Sequence, residues 1–85
     1  MGKQRVYLGG WIRLGCISKR FWVVGKEKRH PATYIVSWKK EYLWVAIGLD
    51  ESIEYGLAKT WLVARGAANQ FLRDSPPPEG LEPEG

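Results

Sequence analysis

The sequence predicts a small α+β domain organised around a central β-hairpin, and three observations carry that prediction. In the stretch Ala32 to Gly48, ATYIVSWKKEYLWVAIG, apolar residues alternate on both sides of Lys39, Lys40 and Glu41, the pattern of two antiparallel strands joined by a short turn. From Ile53 to Leu72, the residues Ile53, Leu57, Trp61, Ala64, Ala68, Phe71 and Leu72 share one face of an amphipathic helix. The third observation is size. A chain of 85 residues makes one domain with a thin core, whose stability leans on its five Trp, four Tyr and two Phe.

Taken in order, Met1 to Arg5 is a short basic lead. Leu8, Trp11, Ile12 and Gly15 follow the i, i+3, i+4, i+7 spacing of a short helix. Gly9 and Gly10 weaken that helix by about 1 kcal/mol each, so an extended Val6 to Leu8 that turns at the glycines is the alternative. In Ile17 to Val24, Ser18 is a good N-cap, Ile17, Phe21 and Val24 fall on one helical face, and Lys19 and Arg20 project from the first turn. Its rival is a strand from Arg20 to Val24, favoured by the aromatic and β-branched run that Gly25 ends. Gly25 to Pro31 is a polar connection dense in Lys and Arg. His30, the single histidine, has no partner at ligand spacing and reads as a turn residue before Pro31.

In the hairpin, Trp38 opposite Tyr42 sets Val36 against Trp44 and Tyr34 against Ala46. That register gathers four aromatics on one surface and leaves Ile35, Leu43 and Val45 on the other. No Asn-Gly or Asp-Gly pins it. Leu49-Asp50-Glu51-Ser52 then has the chemistry of a helix start, with Asp50 as the cap. The long helix from Ile53 has a competitor in which Lys59 to Val63 is a strand, Arg65 and Gly66 turn, and only Ala67 to Asp74 is helical. Pro76-Pro77-Pro78 stops either one. Residues 75–85 are expected to be a disordered acidic tail, and residues 1–74 the domain.

Charge is unevenly spread. Residues 1–48 hold ten Lys or Arg against Glu27 and Glu41, whereas residues 49–85 hold three against seven acids. A basic half with interleaved aromatics is the footprint of a nucleic-acid binder, because cations placed near phosphates release counterions; a solvated basic surface looks the same from charge alone. No apolar run approaches the roughly 20 residues of a membrane-spanning helix, and no signal peptide is expected, so the location expected is cytoplasmic with no membrane partner. Cys16 has no pairing partner and reads as a buried structural thiol. With no phosphate-cradling loop, zinc spacing or paired acids, no catalytic residue, metal or cofactor is expected, and the chain reads as a binding protein rather than an enzyme. Trp11, Phe21, Trp44, Trp61 and Phe71 are assigned to the core, and Trp38 and Tyr42, beside Lys39 and Lys40, to a contact surface.

Three pieces in this order resemble the small phage and prophage excisionases, recombination directionality factors with a MerR-like winged helix-turn-helix. They are Tyr7-Leu8, Trp11-Ile12 and Gly15 with Ile17-Ser18-Lys19-Arg20; Trp38 with Glu41-Tyr42-Leu43; and Trp61 to Arg65 leading to Ala68-Asn69-Gln70-Phe71-Leu72. Gly9, Gly10 and the long segment Gly25 to Pro31 depart from the pattern. The resemblance implies a winged-helix-like domain in a non-enzymatic protein that binds and bends duplex DNA and assists a tyrosine integrase in excision, with further copies of itself on the DNA. Carried over by position, Ser18, Lys19 and Arg20 would enter the major groove, Lys39 and Lys40 would touch the backbone or minor groove from the wing tip, and Lys26, Lys28 and Arg29 would hold phosphates.

A second architecture uses the same residues differently. Strands at Phe21 to Val24, Thr33 to Trp38 and Tyr42 to Ile47, packed by one long C-terminal helix, make a three-stranded antiparallel sheet similar to integrase arm-binding and plant ethylene-response domains, which lay the sheet in the groove. Outside DNA binding, the rival is a protein-interaction module, such as a phage-encoded inhibitor whose aromatic hairpin docks on a host enzyme.

Overall fold

Strand formers dominate the chain as far as Ala58. In the computed structural model, which describes residues 4–25, 28–75 and 81–83, they fold as β1 (Gln4–Leu8), β2 (Ile12–Leu14), β3 (Ile17–Val24), β4 (Lys28–Trp38), β5 (Glu41–Ile47) and β6 (Ile53–Ala58). Helix α1 (Trp61–Asp74) and a short β7 (Leu81–Pro83) follow. The strands lie in the order β6-β5-β4-β3-β1-β7, with β2 also on β3. Every pairing is antiparallel except that of β1 with β7. The chain is therefore an α+β domain, a curled sheet backed by one C-terminal helix.

The two helices expected of a helix-turn-helix over residues 8–24 are not formed. Ile17–Val24 is strand throughout, because its aromatic and β-branched residues find ladder partners on both sides, β1 and β2 on one and β4 on the other. β1 and β2 run end to end along one edge of β3, interrupted at Gly9-Gly10-Trp11, which is the extended reading of that segment. The register of β3 on β4 shifts between Arg20 and Phe21, which face Thr33 and Pro31 and leave Ala32 as an extra residue. This bulge lets Ala32 and Thr33 both be buried.

The hairpin of β4 and β5 forms, one residue away from the expected register. Its turn is Lys39-Lys40, with Lys39 at φ 55, so Trp38 faces Glu41, Ser37 faces Tyr42 and Ile35 faces Trp44. A slip of one residue moves side chains to opposite faces. Trp38, Val36 and Tyr34 consequently lie with Leu43 and Val45, while Tyr42, Trp44 and Ala46 lie on the helix side.

Beyond β5, the segment expected to begin a helix is a turn. Asp50 Oδ1 accepts from the Ser52 backbone N–H (3.2 Å) and hydroxyl (2.5 Å), and the Gly48 N–H donates to the Ser52 carbonyl at 2.8 Å. Gly48 fits closely here, since an added Cβ would come within 3 Å of the Asp50, Ser52 and Ser75 side-chain oxygens and displace them. Ile53–Ala58 pairs along the whole of β5, which rules out one long helix, and the strand expected over Lys59 to Val63 lies earlier. The helix begins at Trp61, where the Thr60 hydroxyl accepts from the Val63 N–H at 3.1 Å. It runs through Gly66, which sits in open space.

Helix α1 packs across β4, β5 and β6. Its buried stripe is Ala64, Ala68 and Leu72, small enough at the first two positions for close approach over Thr33, Ile35 and Ala46. Val6, Trp22, Val24 and Trp44 complete the core. Burying side chains such as Ile35 and Leu72 contributes about 1.5–3 kcal/mol each. The buried polar atoms are satisfied: Trp22 Nε1–H donates to the Ile47 carbonyl (2.9 Å) and Thr33 Oγ1 to that of Val45 (2.6 Å). Trp11, Trp61 and Phe71 are half-buried against this core, as assigned, but Phe21 lies on the opposite face of the sheet. Among the described residues, no helix is long and apolar enough to cross a membrane.

The tail departs from its expected disorder at Leu81–Pro83, which pairs in parallel with Gln4–Val6. The reason is that β1 would otherwise present an open row of backbone groups. The triple proline lies outside the described residues.

Candidate nucleic-acid interface

One face of the sheet carries the helix and the other carries nothing among the described residues. Cross-strand pairing lays two rows across that uncovered face. The first is Leu14, Ile17, Val36, Leu43 and Leu57; the second is Ile12, Lys19, Tyr34, Val45 and Tyr55. Phe21 lies beside the second row, with the Lys19 ammonium 5.7 Å from its ring centroid. Tyr7, Val23 and Arg29 continue the surface toward the β3–β4 turn. At the other end stands the hairpin tip, where Trp38 is 69 % exposed and the Lys39 ammonium lies 6.0 Å from its ring. Lys40 is exposed beside it.

The residues expected to bind DNA divide between the two faces. Lys19, Arg29, Trp38, Lys39 and Lys40 belong to the uncovered face or its tip. Lys28 is exposed at the start of β4, paired with Val24. Lys26 lies outside the described residues. Ser18, Arg20 and Tyr42 are on the helix side and do not join the others.

Their roles there are structural. Ser18 is 4 % exposed, and its hydroxyl accepts from Trp61 Nε1–H at 3.2 Å. Arg20 braces sheet to helix: Nε donates to the Gly9 carbonyl at 2.6 Å, a terminal nitrogen donates to Asn69 Oδ1 at 2.9 Å, and the guanidinium lies 5.6 Å from the Trp11 ring centroid. Burial, and then the nearby Arg65 charge, lower the Arg20 pKa from its ordinary value. Trp11 and Trp61 meet edge to face at 5.7 Å, and Arg13 and Arg65 flank Trp61 at 5.8 and 5.1 Å. Tyr42 lines a cleft of about 270 Å³ between the hairpin tip and the start of α1, with Arg13, Cys16, Ser37 and Trp61. Cys16 is exposed, not buried, because it stands in the two-residue turn between β2 and β3, where its carbonyl still accepts from the Ser37 N–H of β4 at 2.9 Å.

Sequence reasoning missed Phe21, Tyr34 and Tyr55 as surface residues. The signal for the last was the period-two alternation of Ile53, Tyr55 and Leu57, which the helical spacing of Ile53, Leu57 and Trp61 overrode.

No protein-family model matches this chain, and no curated protein or solved structure matches it at a significant level.

Proposed function

We propose that this is a non-enzymatic nucleic-acid-binding protein that takes DNA on the uncovered sheet face, with the hairpin tip holding phosphates. The observation that carries the reading is the row Lys19, Tyr34 and Tyr55 beside Phe21, cation next to flat aromatic ring on a surface left open by the helix. Rings of this kind stack on bases, each stack worth about 1–3 kcal/mol, and a basic edge tracks the backbone. A duplex hides the faces of its bases and shows only their edges, for which this face offers Lys19 and tyrosine hydroxyls. Unpaired strands therefore fit the face, and duplex binding falls to Lys39 and Lys40 at the tip.

The test is an anisotropy titration of one labelled strand, and of its duplex, at about 50 and 200 mM salt. Tighter binding of the single strand, weakening steeply with salt, is expected. Failure of both to bind at low salt sinks the proposal, and preference for the duplex moves recognition to the tip. Assistance to a tyrosine integrase in excision is the narrower version of the reading. It rests on the order of the three sequence motifs alone, and addition of the protein to an excision reaction tests it.

One observation favours docking on a protein instead, the aliphatic row Leu14, Ile17, Val36, Leu43 and Leu57. An apolar surface of that kind binds with little response to salt, which separates the two readings.

A further inference from the structure

The two edges of the sheet are finished differently. β1 is covered by β7 through the pairs Gln4 with Leu81 and Val6 with Pro83, whereas β6 has β5 on one side and no strand on the other among the described residues. β6 also carries few of the devices that keep an open edge from pairing: Ile53–Ala58 reads IEYGLA, with no proline and no lysine and with Glu54 as its single charge.

The ladder determines which backbone groups are free. Gly48 N–H bonds to the Ser52 carbonyl, and hydrogen-bonded pairs alternate from there, so Ala46–Glu54, Trp44–Gly56 and Tyr42–Ala58 are the bonded pairs of β5 and β6. Ile53, Tyr55 and Leu57 therefore send N–H and C=O away from β5. The same three residues are 62 %, 72 % and 67 % exposed and stand on the uncovered face. Free backbone and exposed apolar side chains coincide at every second position.

We propose that β6 pairs antiparallel with β6 of a second copy about a two-fold axis at Tyr55, making one continuous sheet of two chains. In this register Tyr55 faces its own counterpart, Ile53 faces Leu57 of the second copy, and Glu54 faces Gly56. Beyond each end of the paired strands, Lys59 of one copy stands beside the β5–β6 turn of the other, which carries Glu51, so that two exposed side chains of opposite charge meet there. A shift that centred the axis on Glu54 would set the two Glu54 side chains against each other, and like charges directly opposite are unfavourable. The interface is isologous and closes at two copies. It does not depend on the nucleic-acid reading, although it joins two uncovered faces into one.

Sedimentation equilibrium of the whole chain over a range of concentrations tests it. A mass of about twice 9.7 kDa is expected for the wild type, shifting to one chain on dilution. Tyr55→Lys, which sets two ammonium groups face to face at the axis, leaves one chain at concentrations where the wild type is paired. Lys59→Glu and Glu51→Lys each weaken association about tenfold, and the double variant restores it. Circular dichroism confirms that each variant is folded. A wild type that stays at one chain, a mass above two chains, a paired Tyr55→Lys variant, or a charge swap without rescue overturns the proposal.

Discussion

Arg20 in β3 donates a hydrogen bond to Asn69 Oδ1 in α1 at 2.9 Å, across 49 positions of sequence. The same guanidinium holds the Gly9 carbonyl and lies by the Trp11 ring, so it ties the edge of the sheet to the helix. Arg20→Ala is expected to cost about 1–3 kcal/mol of stability, since hydrogen bonds to charged groups are the stronger ones. In a double-mutant cycle with Asn69→Ala, urea unfolding should give a coupling of about 0.5–1.5 kcal/mol. Unchanged stability in Arg20→Ala with a loss of DNA binding would return this residue to a recognition role.

Gly56 lies against the indole of Trp44, where an added Cβ would be 2.9 Å from Nε1 and 3.1 Å from the ring carbons. Alanine suits a strand better than glycine by about 0.5–1 kcal/mol, but here overpacking opposes that gain. Gly56→Ala should be destabilised by about 1–2 kcal/mol, which lowers the melting temperature of a domain of this size by about 4–8 °C for each kcal/mol. A variant that melts with the wild type would show that the indole can move aside.

Asp50 accepts hydrogen bonds first from the Ser52 hydroxyl and backbone and then from Ser75, and these hold its carboxyl below the usual carboxylate range. A carboxyl that binds its proton more weakly in the folded than in the unfolded chain stabilises the fold above the unfolded value. That contribution is lost as pH falls through the folded value. Asp50→Asn should therefore be less stable than the wild type at pH 7, with the gap closing in strong acid. Urea unfolding at neutral pH and near pH 3 checks the trend, and a gap that widens on acidification contradicts it.

Lys39 and Lys40 stand exposed at the hairpin tip, free of the packing that holds Arg20. Changing both to Gln should leave stability within about 0.5 kcal/mol. It should lower the slope of log affinity against log salt by about 1.4 for single strands, because each of the two lost phosphate contacts removes about 0.7. An unchanged slope would take the tip out of the interface. Trp38, the neighbouring indole, offers a fluorescence readout of the same event.

Much of the β structure is legible in the residues. The hairpin shows through its alternation around Lys39-Lys40, and the extended entry through Gly9-Gly10. Ile17 to Val24 was ambiguous because apolar residues occupy both its odd and even positions, so a helical face can be traced through Ile17, Phe21 and Val24 as easily as a strand. Pairing on both sides decides for the strand, and with it Ser18 and Arg20 pass from the expected site into the support of the helix.

By itself the sequence determined that the chain has a basic, aromatic hairpin whose tip is Lys39 and Lys40, since charge and alternation are local properties. Only the tertiary structure decided which aromatics face outward. Both faces of the hairpin carry rings, and a one-residue difference in register exchanges them. The choice belongs to α1, whose Ala64, Ala68 and Leu72 cover Trp44 and Ala46 and leave Tyr34, Phe21 and Tyr55 to the open side.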